Sequence, residues 1–123
     1  MKEGLHSSPW EHLKDGKGGK PKPGANVARA AGSYMMCQME AGHCCPITMT
    51  NAAVPTLLLQ PDLAQAWLPK ILGRTYDRRF MPASQKSAVT IGMGMTEKQG
   101  GTDVRANSTH AAPVGSPGPG REY

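Results

Sequence analysis

The chain has 123 residues, room for one domain at most, and carries a net charge of +5 with a pI of about 9.3. Leu, Ile, Val and Phe supply only 17 residues, against 15 Gly and 11 Pro. That composition excludes a large independent core and leads to the expectation of a piece of something larger.

Met1 to Trp10 contains no apolar stretch of the kind that opens a secretory signal. No run reaches membrane-spanning length, and the longest apolar cluster surrounds Leu57, Leu58 and Leu59. Residues 1–25 read as a basic Gly/Pro-rich loop, with Lys14, Lys17, Lys20 and Lys22 set between helix breakers. Such a stretch could attract a polyanion. No aromatic residue interleaves the lysines, so a solvated surface loop is the simpler reading.

A helical region is expected over residues 26–73. Asn26 can cap a first helix to Ala41. Its apolar stripe comprises Val27, Ala30, Ala31, Tyr34, Met35, Gln38 and Met39. Gly42 can supply a left-handed stop, Gly32 and the Ala residues suggest close helix packing, and Met35, Met36 and Met39 read as core filler. Pro46 can open a second helix that Pro55 interrupts, and the Leu57 to Leu59 run is expected to be buried. A third helix starts at Pro61 with Asp62 in its first turn, ends before Gly73, and is expected to break or kink at Pro69.

Residues 74–87 read as a polar connector. In "AVTIGMGM", Val89, Ile91, Met93 and Met95 alternate with Thr90, Gly92 and Gly94, which predicts a short strand. Residues 110–123 form a Pro/Gly-rich loop. The fold class is therefore mainly α with a short β segment.

"HCCP", at residues 43–46, offers zinc-ligand types in His43, Cys44 and Cys45, but no second cluster completes four ligands. Three cysteines without an export signal, Cys37, Cys44 and Cys45, form no spaced framework and fit a reducing cytoplasm. They read as structural or incidental, and no metal is expected. "GMGMTEKQGGTDV", at residues 92–104, carries more chemistry. Gly100 and Gly101 free the backbone to approach a ligand. Successive N–H groups in such a turn can face an anion, and Thr96 and Thr102 supply hydroxyls on either side. The P-loop and Rossmann patterns are both absent. An ordinary glycine turn and a phosphate-facing loop both remain open on these grounds.

This stretch resembles the flavin-site segment T-E-x-x-x-G-S-D of the acyl-CoA dehydrogenase superfamily. It is closer still to the "GMGMTEKQGGSDV" of the adaptive-response branch, which is induced by DNA alkylation. "VARAA" (27–31), "EAGHCCPITMT" (40–50) and "LLLQ" (57–60) resemble that branch in the same order. The resemblance implies the end of an N-terminal helical domain running into the first strand of a middle β domain over residues 88–109. It implies FAD lined by Met93, Gly94, Met95, Thr96, Glu97, Lys98, Gln99, Gly100, Gly101 and Thr102. Thr96 would lie beside the flavin ring and Thr102 near the pyrophosphate, where the family usually has Ser.

The resemblance also implies an acyl-CoA substrate, homo-oligomers, no membrane, and possible DNA binding through regions beyond this chain. Because the family's catalytic carboxylate lies in a C-terminal bundle, no catalytic residue is assigned, and neither Glu97 nor Asp103 is read as the base. The expectation is an internal fragment of an FAD-dependent enzyme oxidising the CH–CH bond of acyl-CoA thioesters. The alternative is a non-enzymatic truncated protein, weakly associated with nucleic acid or without independent function.

Overall fold

The structure, a computed structural model, describes residues 1–14, 18–118 and 121–123. Lys17 of the basic stretch, with Asp15 and Gly16, lies outside them, as do Pro119 and Gly120 of the C-terminal loop. The chain divides into two compact units, Met1–Gly92 and Met93–Tyr123.

The first unit is helical. Its elements are α1 (Ala25–Cys37), α2 (Cys44–Leu57) and α3 (Pro61–Ile71), preceded by a 3₁₀ helix at Ser8–Leu13. Residues 1–25 are thus more than a solvated loop. Pro9 starts the 3₁₀ helix and is buried, and Trp10 and Leu13 pack on the main core. That core is Val54 of α2, Ala64, Leu68 and Ile71 of α3, and Leu72 and Val89 beyond it. Val54, Ile71 and Leu72 are fully enclosed, and burying each such side chain contributes about 1.5–3 kcal/mol. Pro61 and Asp62 occupy the first turn of α3 as the sequence indicates.

Several local expectations are overturned. α1 starts at Ala25 after Gly24, with no side-chain cap from Asn26, and it ends at Cys37 rather than Ala41. Gly42 is not left-handed. The turn is instead held by Glu40, whose carboxylate accepts the N–H groups of Gly42 at 2.6 Å and His43 at 2.9 Å. α2 begins two residues before Pro46 and runs through Pro55, and α3 runs through Pro69. Both prolines sit in the last turn, where few further helical bonds depend on continuation. Leu59 is 85% exposed, so the Leu57 to Leu59 run is not buried as a block.

The face that α1 presents is also reversed. Val27, Tyr34, Met35 and Met39 are exposed, so Met35 and Met39 are not core filler within this unit. The half-buried side is Arg29, Gly32, Ser33 and Met36, which is equally periodic. Arg29 donates from Nε to the Leu5 carbonyl at 2.7 Å. A Cβ on Gly32 would lie 2.7 Å from Leu5 Cδ2, so close approach selects the small-residue face. Gly32 therefore packs against Leu5 and not against another helix.

No strand forms at residues 88–95. A strand needs a neighbouring backbone edge, and among the described residues none lies beside this segment. It is nonetheless pinned at alternate N–H groups: Val89 donates to the Lys70 carbonyl at 3.2 Å and Ile91 to Thr50 Oγ1 at 3.0 Å. Thr50, fully buried, donates in turn to the Pro46 carbonyl at 2.7 Å.

Candidate functional site

The ten residues expected to face a cofactor, Met93 to Thr102, all fall in the second unit. The turn there is tight. The Gly100 N–H donates to the Glu97 carbonyl at 3.0 Å, with Lys98 and Gln99 at the tip. Gly100 has φ +109°, a conformation that strains any residue with a Cβ. Gly101 is favoured for a different reason: a Cβ there would sit 2.9 Å from Thr96 Oγ1 and would force that side chain to move. The two glycines therefore do separate jobs, one conformational and one steric.

Glu97 braces the loop. Its carboxylate accepts the N–H of Ser108 at 2.9 Å, the N–H of Thr109 at 2.8 Å and the Ser108 hydroxyl at 3.3 Å. The Thr109 side chain and the Ser108 and Thr109 N–H groups hold its carboxyl down to about 2. Such a group is a weak base at neutral pH. Asn107 completes the brace, donating to the Met95 carbonyl at 2.6 Å and accepting from Gln99 at 3.0 Å. Sequence reasoning misses Asn107, Ser108 and Thr109, whose only signal is a run of short polar side chains after the motif.

The rest of the loop is open. Met93 and Met95 are about half exposed, and nothing approaches within 4 Å of a Cβ built on Gly94. Thr96 and Thr102 are exposed. Among the described residues their hydroxyls make no hydrogen bond within the chain. No described residue in this unit is buried.

In the helical unit, the "HCCP" stretch starts α2. His43 Nδ1 lies 2.8 Å from Glu40 Oε2, and His43 Nε2 lies 3.9 Å from Cys44 Sγ. Cys44 and Cys37, at facing ends of α2 and α1, place their sulfurs 2.7 Å apart. Among the described residues, no group of three or more His, Cys, Asp or Glu side chains is disposed to hold a metal ion, and no helix is long and apolar enough to cross a membrane.

His6 is fully buried and donates from Nε2 to the Gly73 carbonyl at 2.8 Å. Its Nδ1 is enclosed and has no partner among the described residues. Burial lowers its pKa, because protonation would place a charge on an atom that nothing accepts.

The family profile for the "Adaptive response protein AidB N-terminal domain" matches residues 1–78. The chain belongs to this family. It is also 46% identical over 108 residues to the Escherichia coli (strain K12) protein named "Putative acyl-CoA dehydrogenase AidB". That alignment covers 87% of this chain and 19% of the relative, so the chain spans about a fifth of the relative's length. The profile ends before the glycine loop, whereas the alignment's coverage of this chain is too broad to stop there. The similarity is thus to one segment of a protein named as a putative acyl-CoA dehydrogenase, and the part matched by the family profile is the helical unit of this chain.

Proposed function

We propose that the chain is a segment of an FAD-dependent acyl-CoA dehydrogenase-like flavoprotein, of the branch linked to the DNA-alkylation response, in which Met93 to Thr102 form one wall of the flavin site. The observation that carries this reading is the order of residues in "GMGMTEKQGGTDV", together with a turn that leaves Thr96, Thr102, Met93 and Met95 open. Thr96 would hydrogen-bond the flavin ring and Thr102 a pyrophosphate oxygen. Gly94 leaves room for backbone approach, and Glu97 holds the turn in shape from behind.

These features fit a flat, anionic ligand laid along the loop. FAD supplies the hydride-accepting chemistry when bound, and the loop's contribution is orientation. The residues do not fit a proton-abstracting role. Glu97 is committed to its hydrogen bonds, so no catalytic base is assigned among the ten. An acyl-CoA thioester substrate and a homo-oligomer belong to this proposal for the longer protein.

Titration of the 123-residue chain with FAD, followed by amide NMR, tests the placement. Weak, fast-exchange shifts at the amides of residues 93–102 are expected. Shifts centred on residues 1–92 would overturn it.

A further inference from the structure

The thiols at the α1–α2 turn have no role in the flavin reading, and their arrangement is specific. Cys37 ends α1 and Cys44 starts α2, so two helices fix both backbones. Their sulfurs lie 2.7 Å apart, and a covalent S–S bond of about 2.05 Å requires only a small further approach. Cys45, the next residue, is exposed and takes no part in the pair.

Beside the pair is a cavity of about 60 Å³ whose wall includes Cys37, Cys44, His43, Ser33 and Thr48. That volume has room for a few water molecules, enough for a small hydroperoxide. His43 faces Cys44 through Nε2, while its Nδ1–H is taken by Glu40. With Nδ1–H on Glu40, the neutral imidazole carries its lone pair on Nε2, 3.9 Å from the Cys44 sulfur.

We propose that Cys37 and Cys44 form a dithiol that small hydroperoxides oxidise to a disulfide, closing the turn between α1 and α2. Cys37, the more exposed of the two, attacks the O–O bond as its thiolate. The product is Cys37 sulfenic acid, and the other peroxide oxygen leaves as water, or as the alcohol from an organic peroxide. The Cys44 sulfur then displaces the sulfenic oxygen, which leaves as water, and His43 accepts the Cys44 proton and returns it to that oxygen. Two electrons pass from the sulfur pair to the peroxide, and both S–H protons end on oxygen.

The Cys44 thiol is pushed up to about 11 by the Cys37 sulfur, burial and Glu40. It is therefore the slower of the pair to meet peroxide, and it needs the neighbouring His43 Nε2, 3.9 Å away, to take its proton in the second step. The proposal rests on the helical unit alone and stands or falls separately from the flavin loop.

The test uses the whole 123-residue chain, reduced and then exposed to hydrogen peroxide. Remaining thiols are capped with N-ethylmaleimide and the product is cleaved after glutamate. Cleavage after Glu40 separates Cys37 from Cys44 and Cys45, so only a disulfide keeps the two peptides joined. The expected first product is a Cys37–Cys44 link with Cys45 capped. C45S should close at the wild-type rate. C44S should close at least about tenfold more slowly and accumulate dimedone-reactive sulfenic acid at Cys37. His43→Gln should slow closure roughly threefold without changing the pairing. In guanidinium the preference for Cys44 over Cys45 should vanish. Independent over-oxidation of all three thiols, links between chains, or C44S closing through Cys45 at an unchanged rate would overturn the proposal.

Discussion

Residues 1–92 and residues 93–123 are held together in different ways. Every buried hydrophobic side chain among the described residues belongs to the first unit, where Val54, Leu68, Ile71, Leu72 and Val89 exclude water together. The second unit has no buried residue among those described, and its shape depends on one carboxylate, one amide and two glycines. Apolar burial is non-directional and tolerates approximate geometry, whereas hydrogen bonds specify geometry but contribute little net stability in water. The helical unit is therefore built to persist, and the loop unit to present a particular surface.

The largest effect should come from the core. Ile71→Ala is expected to cost the helical unit about 2–5 kcal/mol, a large share of the stability of a small domain. Thermal or urea unfolding followed at 222 nm measures it. A change within error would show that the helices are not held by this core.

Next in size is Thr50→Val, which removes the acceptor for the Ile91 N–H while keeping the shape. Leaving that group unsatisfied costs about 1–3 kcal/mol. Faster hydrogen exchange at the Ile91 amide should report the loss. Gly100→Ala acts on the other unit, straining the turn by about 1–3 kcal/mol. The amide shifts of Glu97, Ser108 and Thr109 should move if the brace depends on that turn.

pH should separate the two regions. His6 is buried neutral with its pKa lowered from the ordinary 6.5. Its contribution is fully present above pH 6.5 and is lost as pH falls below that value. Glu97 is lowered from 4.5 to about 2. Its contribution is fully present above pH 4.5 and is lost as pH falls toward about 2. In an NMR pH titration, amides near His6 and Gly73 should shift first on acidification, and those of Ser108 and Thr109 only below pH 4.5. Shifts at one common pH would remove this distinction. In His6→Gln the higher-pH step should disappear while the Glu97 step stays.

The sequence showed most where local chemistry decides the outcome. Pro61 and Asp62 at the start and Gly73 after the end locate α3 because these signals sit at the helix's own termini. The stripe on α1 has the right period, yet period cannot say which face has a partner, and the small side at Gly32 prevails through its close approach to Leu5. The strand expected over residues 88–95 does not form among the described residues, because alternation describes side chains, whereas a ladder needs a second backbone.

For the site, the need for both glycines is legible, but the brace is not. Glu97 meets Ser108 and Thr109 eleven and twelve residues further on, through hydrogen bonds that no spacing rule announces. The Cys37–Cys44 contact is hidden for a similar reason. It depends on α1 stopping at Cys37, where Glu40 caps the turn.

The proposed flavin wall is tested most directly in a chimera in which residues 25–109 replace the matching stretch of the Escherichia coli relative. The chimera should retain FAD through gel filtration, read as flavin absorbance per chain. Thr96→Ala, Gly101→Val and Thr102→Ala within it should lower that content, with Gly101→Val lowering it most because its side chain collides with Thr96. Flavin content unchanged by all three substitutions would contradict the placement of FAD against this loop.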